Sequence, residues 1–399
     1  MVFSGFSDNM RNMKPSVIRE IFKSMGDPTL ISFAAGNPAA EAFPTEAVAA
    51  LSADIFRDEP INALQYSITE GYPPLRDWLK NDLTAKNSFR AGDDLIITAG
   101  AQQAFDLAAK VFCNPGDCII CEEPSFIGAL NTFRSHGARL VGVPLDDSGE
   151  GIDLSLLERA LIKNPRLAFI YLIPNFHNPT GRTMSLARRK AVLELAHRYK
   201  VLIFEDNPYG DIRFSGVEIP SIRSLDTEGC VMYGGTFSKT LAPGLRVGFL
   251  AAAENIITKA TVAEQTSTVH ANIWAQMLCY RFVTECDFPD HLEHIRRIYR
   301  RKCSLMLNSL KFSLPMDISL TEPDGGLFIW ATLPESDVDM LDFVKRAMAE
   351  RVAVVPGNAF CVNEAAKSRS FRLNFSTPTD SEIEIGVARL AKLANELFK

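Results

Sequence analysis

From about residue 47 to residue 260 the chain alternates two textures: short, nearly unbroken apolar runs, and longer segments whose apolar residues recur every three to four positions. The runs are DLIITA, DCIICE, ARLVGVP, LAFIYLIP, VLIFED, CVMYGG and RVGFLAA. A strand with one face in water alternates apolar and polar residues. A strand covered on both faces reads as a continuous apolar run, the mark of a parallel sheet with helices above and below it. Segments such as AQQAFDLAAKVF, FIGALNTFRS, DLSLLERALI and SLARRKAVLELAHRYK supply those helices. The order predicts an α/β fold whose large domain is a mostly parallel seven-stranded sheet sandwiched by helices.

After about residue 285 the texture changes to a long charged helix, HLEHIRRIYRRKCSLMLNSL, then strand-like GGLFIWATL, a helix VDMLDFVKRAMAE and a strand FRLNFS. This predicts a smaller α+β domain over residues 286–399, beside a large domain over 46–285. Residues 1–45, with one short helix around SVIREIFKSM, hold too few apolar positions for a domain and are expected to pack on the small one.

The balance of 42 basic against 48 acidic residues, with basic clusters no longer than RRIYRRK, leaves no broad positive face for nucleic acid. No 18-residue apolar stretch exists, and the opening MVFSGFSDNMRNMK lacks the apolar core of a signal peptide, so the expected location is cytoplasmic with no membrane partner. The eight cysteines are then expected to be reduced thiols. Cys118 and Cys121 form a C-x-x-C inside the apolar DCIICEE, which reads as a buried strand; no metal is expected. His291 and His294, three apart on a helix, read as a solvated face.

A doubly covered sheet invites nucleotide and hydrolase chemistry, yet no G-x-G-x-x-G follows a strand, the dipeptide GK never occurs, and there is no G-x-S-x-G. What stands out is Lys239 in VMYGGTFSKTLAPGLRVGF, at the end of an apolar run. An apolar site disfavours the charged amine, which is then free to attack a carbonyl and form a Schiff base. Thr236, Ser238 and the forked donors of Arg246 suit a phosphate. A carbonyl cofactor bearing a phosphate is pyridoxal 5'-phosphate, and its remaining groups can be sought. The phosphate belongs at a helix start, where Gly100, Ala101 and Gln102 open AQQAFDLAAKVF. A protonated ring nitrogen needs a buried carboxylate: Asp206 closes VLIFED, and strand alternation turns Glu205 the other way. Asn178 in NFHNPTG and Tyr209 in DNPYG offer donors for the phenolic oxygen, and Phe126 in EEPSF offers a face for the ring.

GAQQA, EEPSF, NPTG, EDNPYG, FSKTLAPGLRVG and FRLNFS, in this order over nearly the whole chain, resemble the fold-type I, class I/II aminotransferases, with an aspartate-aminotransferase-like fold. PSVIREIFK, ISFAAGNPAAEAFP and QYSITEGYPPLR are similar to the branch that contains 2-aminoadipate and kynurenine aminotransferases. The resemblance implies that Lys239 carries the cofactor and serves as base, with Asp206 and Tyr209 as its catalytic partners. It also implies that Arg372 clamps the substrate α-carboxylate with help from Asn178 and the backbone at Gly36, and that Arg19 closes over the substrate side chain. Tyr66 is implied to reach the phosphate of a neighbouring subunit, hence a homodimer, and Asn178-Pro179 and Glu123-Pro124 to be cis. The expected reaction moves the amino group of an L-amino acid (aminoadipate, aromatic or aliphatic) to a 2-oxo acid such as 2-oxoglutarate. The chain departs from the branch at His177, where Gln is common, and at Ala35, Gly36 and Asn37. A C–S lyase or decarboxylase on the same scaffold is the alternative reaction. A cofactor-binding regulatory module is the alternative of another class, set against too few residues before the large domain for a DNA-binding unit.

Overall fold

The computed structural model describes residues 5–11, 13, 29–335 and 338–398. All seven apolar runs form strands of one sheet: β1 (Asp93–Thr98), β2 (Cys118–Glu123), β3 (Arg139–Pro144), β4 (Leu167–Leu172), β5 (Leu202–Asp206), β6 (Val231–Thr236) and β7 (Gly248–Ala253). Across the sheet they run β1-β7-β6-β5-β4-β2-β3. Every neighbouring pair is parallel except those made by β7, which is antiparallel to both β1 and β6.

Alternation along the strands sends side chains to two covered faces. On one, Ile96, Ile119, Phe169, Tyr171, Phe204 and Leu250 pack against helices Ala101–Phe112, Ile127–Ser135 and Glu254–Gln265. On the other, Ile120, Ile170, Leu172 and Ile203 meet helices Leu154–Lys163 and Leu186–Tyr199. The exception is β3. Pairing with β2 alone, it is one of the two edges of the sheet, and of its residues only Val143 is buried.

A second, four-stranded sheet joins Ser319–Leu320, Phe328–Thr332, Val355–Pro356 and Ser370–Asn374 by antiparallel pairs. It packs with helices Phe288–Ser313, Met340–Ala349 and Asp380–Leu397 into one cluster that also takes in Ile31 and Phe33. The strand Ile31–Ser32 pairs in parallel with Val352–Ala353, and this pairing delivers the chain to Ala34 and Gly36 beside the site. Cys118 and Cys121 are buried and unbridged in β2. His291 departs from its expected solvated position. Its ring is half-buried between Phe282 and Phe288, and Nε2 lies 2.8 Å from the Thr240 carbonyl oxygen; His294 is exposed. No helix among the described residues is long and apolar enough to cross a membrane.

Candidate active site

At the carboxyl ends of β2, β4, β5 and β6, and at the start of the helix that follows β1, the chain encloses a cavity of about 390 Å³. Parallel sheets leave their ligand crevices at these ends, because the crossover loops there diverge. Gly36, Ala101, Gln102, Phe126, Asn178, Asp206, Tyr209, Thr236, Ser238, Lys239, Arg246 and Arg372 line it. Twelve expected site residues from eight separate stretches of chain thus meet in one place.

Lys239 follows β6 and its Nζ donates to the Gly36 carbonyl oxygen at 2.8 Å. Burial, with the positive charges of Arg372 and Arg246 nearby, brings this amine down to about 8. A neutral, nucleophilic fraction is therefore present near neutral pH, which a surface lysine lacks.

Asp206 ends β5 and is buried. Its Oδ2 accepts from the Tyr171 hydroxyl at 2.5 Å, while Oδ1 has no hydrogen-bond partner among the described residues. Burial outweighs the Tyr171 hydrogen bond and lifts the carboxyl to about 7. A buried acceptor left bare is costly unless something supplies the missing proton. Glu205 turns the other way, as alternation demands, and binds the backbone amides of Ile222 and Arg223.

The anion cradle lines the same cavity. Gly100 precedes helix Ala101–Phe112 at φ 82° and brings no capping side chain, so the first amides of that helix stay open to a ligand. A Cβ at Gly100 would fall 2.5 Å from Arg246 Nη2, which is why only glycine fits. Arg246 donates to the Ala99 carbonyl oxygen at 2.9 Å. The Thr236 hydroxyl donates to Ser238 Oγ at 2.9 Å and accepts from the Ser238 amide at 3.1 Å.

Arg372, from the strand Ser370–Asn374, donates to Asn178 Oδ1 at 2.8 Å and to the Ala34 carbonyl oxygen at 2.7 Å. Its guanidinium lies over Phe328 and Phe360, 4.2 and 4.9 Å from the ring centres, and burial brings it down to about 10. Because arginine only donates, Asn178 must present its oxygen there, which leaves the amide NH2 as a donor toward the cavity. Tyr209 is buried beside Asn178, and burial pushes its phenol up, so it remains a neutral donor. Both Glu123-Pro124 and Asn178-Pro179 are cis.

The family model for class I and II aminotransferases matches residues 28–390. The chain belongs to that family. It is 38% identical over 400 residues, 99% of its own length and 95% of the relative's, to an aromatic-amino-acid aminotransferase from Thermococcus litoralis. Its fold superposes with a TM-score of 0.94 on a kynurenine aminotransferase from Pyrococcus horikoshii solved with PMP, at 37% identity over 99% of this chain and 98% of that one. An α-aminoadipate aminotransferase from Thermus thermophilus, solved with N-(5'-phosphopyridoxyl)-L-leucine, superposes with a TM-score of 0.90 at 37% identity over 98% and 97% of the two chains.

This aminotransferase therefore uses pyridoxal 5'-phosphate and transfers amino groups between amino acids and 2-oxo acids. Its residues suit the group: a bare buried carboxylate oxygen, an amine of lowered basicity and an open helix start share one cavity. Tyr66 stands apart, 81% exposed, with its ring edge-on to His270. Arg19 lies outside the described residues. Sequence reasoning missed Tyr171 and the aromatic bed of Arg372. Tyr171 had a signal, a lone hydroxyl in LAFIYLIP; Phe328 and Phe360 had none, being ordinary apolar residues until the chain folds.

Proposed function

We propose that the enzyme takes the amino group of an aromatic L-amino acid or of 2-aminoadipate and passes it to a 2-oxo acid such as 2-oxoglutarate, with Lys239 as cofactor anchor and base. The observation that carries this reading is the placement of Lys239 Nζ and the bare Asp206 oxygen on one cavity that Arg372 also lines. Pyridoxal phosphate supplies, when bound, a carbonyl carbon and a ring able to take up an electron pair.

The chain's own residues do the rest. Asp206 Oδ1 keeps a proton on the ring nitrogen. Asn178 and Tyr209 donate to the phenolic oxygen, and Phe126 stacks on the ring. Gly100, Ala101, Gln102, Thr236, Ser238 and Arg246 hold the phosphate. Arg372 clamps the substrate α-carboxylate, which orients the Cα–H bond toward Lys239. With the cofactor bound, Lys239 Nζ would be the base that takes the proton from substrate Cα and holds it for return. The bound group would supply a carrier for the substrate nitrogen, and water would supply the carbonyl oxygen of the departing 2-oxo acid. Ile127, Ile173 and Phe328 give the cavity an apolar wall, which favours an aromatic or aliphatic side chain.

A homodimer belongs to the same reading. Ile61, Leu64 and Tyr66 are 71%, 73% and 81% exposed, an apolar patch suited to a second copy, whose phosphate Tyr66 would reach. The test of the reaction is a half-reaction screen. Holoenzyme mixed with single amino acids should lose its visible cofactor absorbance with aromatic donors and aminoadipate, and recover it with 2-oxoglutarate. Release of pyruvate and ammonia without any 2-oxo acid acceptor would establish the lyase instead.

A further inference from the structure

Glu122 and His177 form a buried ionisable couple that the chemistry above leaves unused. Both are 2% exposed. Glu122 is the penultimate residue of β2, four residues before Phe126; His177 directly precedes Asn178 in the turn after β4. Glu122 Oε2 accepts from the backbone amide of Ile173 at 2.8 Å and lies 3.4 Å from His177 Nε2. The other ring nitrogen, Nδ1, is 2.9 Å from Thr180 Oγ1. The backbone of His177 is bound as well: its amide donates to the Arg182 carbonyl oxygen at 2.8 Å, and its own carbonyl accepts from Gly181 at 2.6 Å. Ile173 and Asn178, which flank the couple in the chain, both line the cofactor cavity.

Two ionisable groups facing each other without water are least costly when one proton makes both neutral. His177 Nε2 has no hydrogen-bond partner among the described residues, and a protonated Glu122 would supply the missing donor; the imidazole then carries its own proton on Nδ1 and donates to Thr180. Burial supports this assignment, raising Glu122 to about 8 and lowering His177 to about 3, with the charge of Arg182 acting in the same direction on the ring. The other ionisable groups near enough to feel the charge of Glu122, Cys121 and Tyr171, are held neutral by burial, and Glu123 turns away to the Val362 amide.

We propose that Glu122 and His177 are a positioning pair for transamination: sharing one proton, they lock the turn that presents Asn178 to the strand end that leads to Phe126. The proposal rests on the role given to Asn178 above. It is tested with holoenzyme of the wild type and of Asn178→Ala, His177→Ala, His177→Gln and Glu122→Gln, by kcat and KM for an amino donor across pH and by titrating the visible cofactor absorbance. His177→Ala is expected to raise KM about tenfold or more, with a smaller fall in kcat, because Asn178 and its partner Arg372 drift. His177→Gln, whose amide can both accept from Glu122 and donate to Thr180, should return KM to within about threefold of wild type. Glu122→Gln imitates the protonated acid, so it should match the wild type at neutral pH and lose the inflection expected near pH 8. That variant alone decides the matter if His177→Ala does not fold. An inflection that persists in Glu122→Gln, a His177→Gln enzyme as impaired as His177→Ala, or an unchanged KM in His177→Ala overturns the proposal. Unchanged kinetics in Asn178→Ala would instead remove the reading of the site beneath it.

Discussion

Replacing Asp206 by Asn should push stability and catalysis in opposite directions. In the protein freed of cofactor the carboxyl is lifted from 3.8 to about 7 by burial that one hydrogen bond from Tyr171 only partly offsets. Between those two values the folded chain holds a proton that the unfolded chain has released, so stability falls as pH rises through the interval and is level above it. Tenfold in an equilibrium is about 1.4 kcal/mol, which puts the full loss at about 4 kcal/mol. Asparagine keeps the shape and the acceptor for Tyr171 and cannot ionise. Cofactor-free Asp206→Asn should therefore be more stable than cofactor-free wild type by about 4 kcal/mol at pH 8, with the difference shrinking below about 1 kcal/mol near pH 4. Turnover should move the other way, since an amide cannot hold the ring nitrogen protonated; about 3 to 5 kcal/mol of lost pairing corresponds to about two to four decades in rate. The assay is denaturant unfolding of resolved enzyme at the two pH values, alongside kcat of the reconstituted enzyme. A cofactor-free variant no more stable than wild type at pH 8 would show that the carboxylate is not desolvated as the geometry indicates, and unchanged turnover would reject its role on the ring.

Two further outcomes follow from the same geometry. Arg372→Lys keeps a charge but loses the fork that reaches Asn178 and the Ala34 carbonyl together, so kcat/KM should fall by about two decades for every amino donor alike; a loss confined to some donors would mean that Arg372 reads the side chain rather than the α-carboxylate. If Tyr66 serves a second copy's phosphate, Tyr66→Ala and Lys239→Ala, each nearly inactive alone, should regain activity when unfolded and refolded together, because a mixed dimer then holds one intact site. No gain over the separate variants would confine Tyr66 to its own subunit.

The parts of this fold that were legible in the sequence are those where one residue's environment is set by its own strand. Unbroken apolar runs announce strands with two covered faces, and six of the seven are such strands; β3 misleads because, of the two edge strands, β1 is covered by helices and β3 is left half-open, a difference no run of side chains encodes. Lys239 and Asp206 were readable for a related reason, since a charged group closing an apolar run has to be matched by a partner or a task. Arg372 sits equally deep, yet its character comes from Phe328 and Phe360, strangers in sequence, so only a family resemblance could single it out. Tyr171 falls between these cases. Its register partner on β5 is Phe204, and Asp206 lies two residues beyond Phe204 on the same face, so a reader who had paired β4 with β5 could have placed the hydroxyl against the carboxylate. His291 shows the reverse error: its helix looks solvated by composition, but Phe288 from one turn before it and Phe282 from the preceding helix together half-bury the ring. What a single sequence withholds, then, is pairing between distant segments, and the couple of Glu122 with His177 belongs to that class. Glu122 alone reads as part of a familiar motif and His177 as a departure within another, and only the 3.4 Å approach of β2 to the turn after β4 brings the two side chains together.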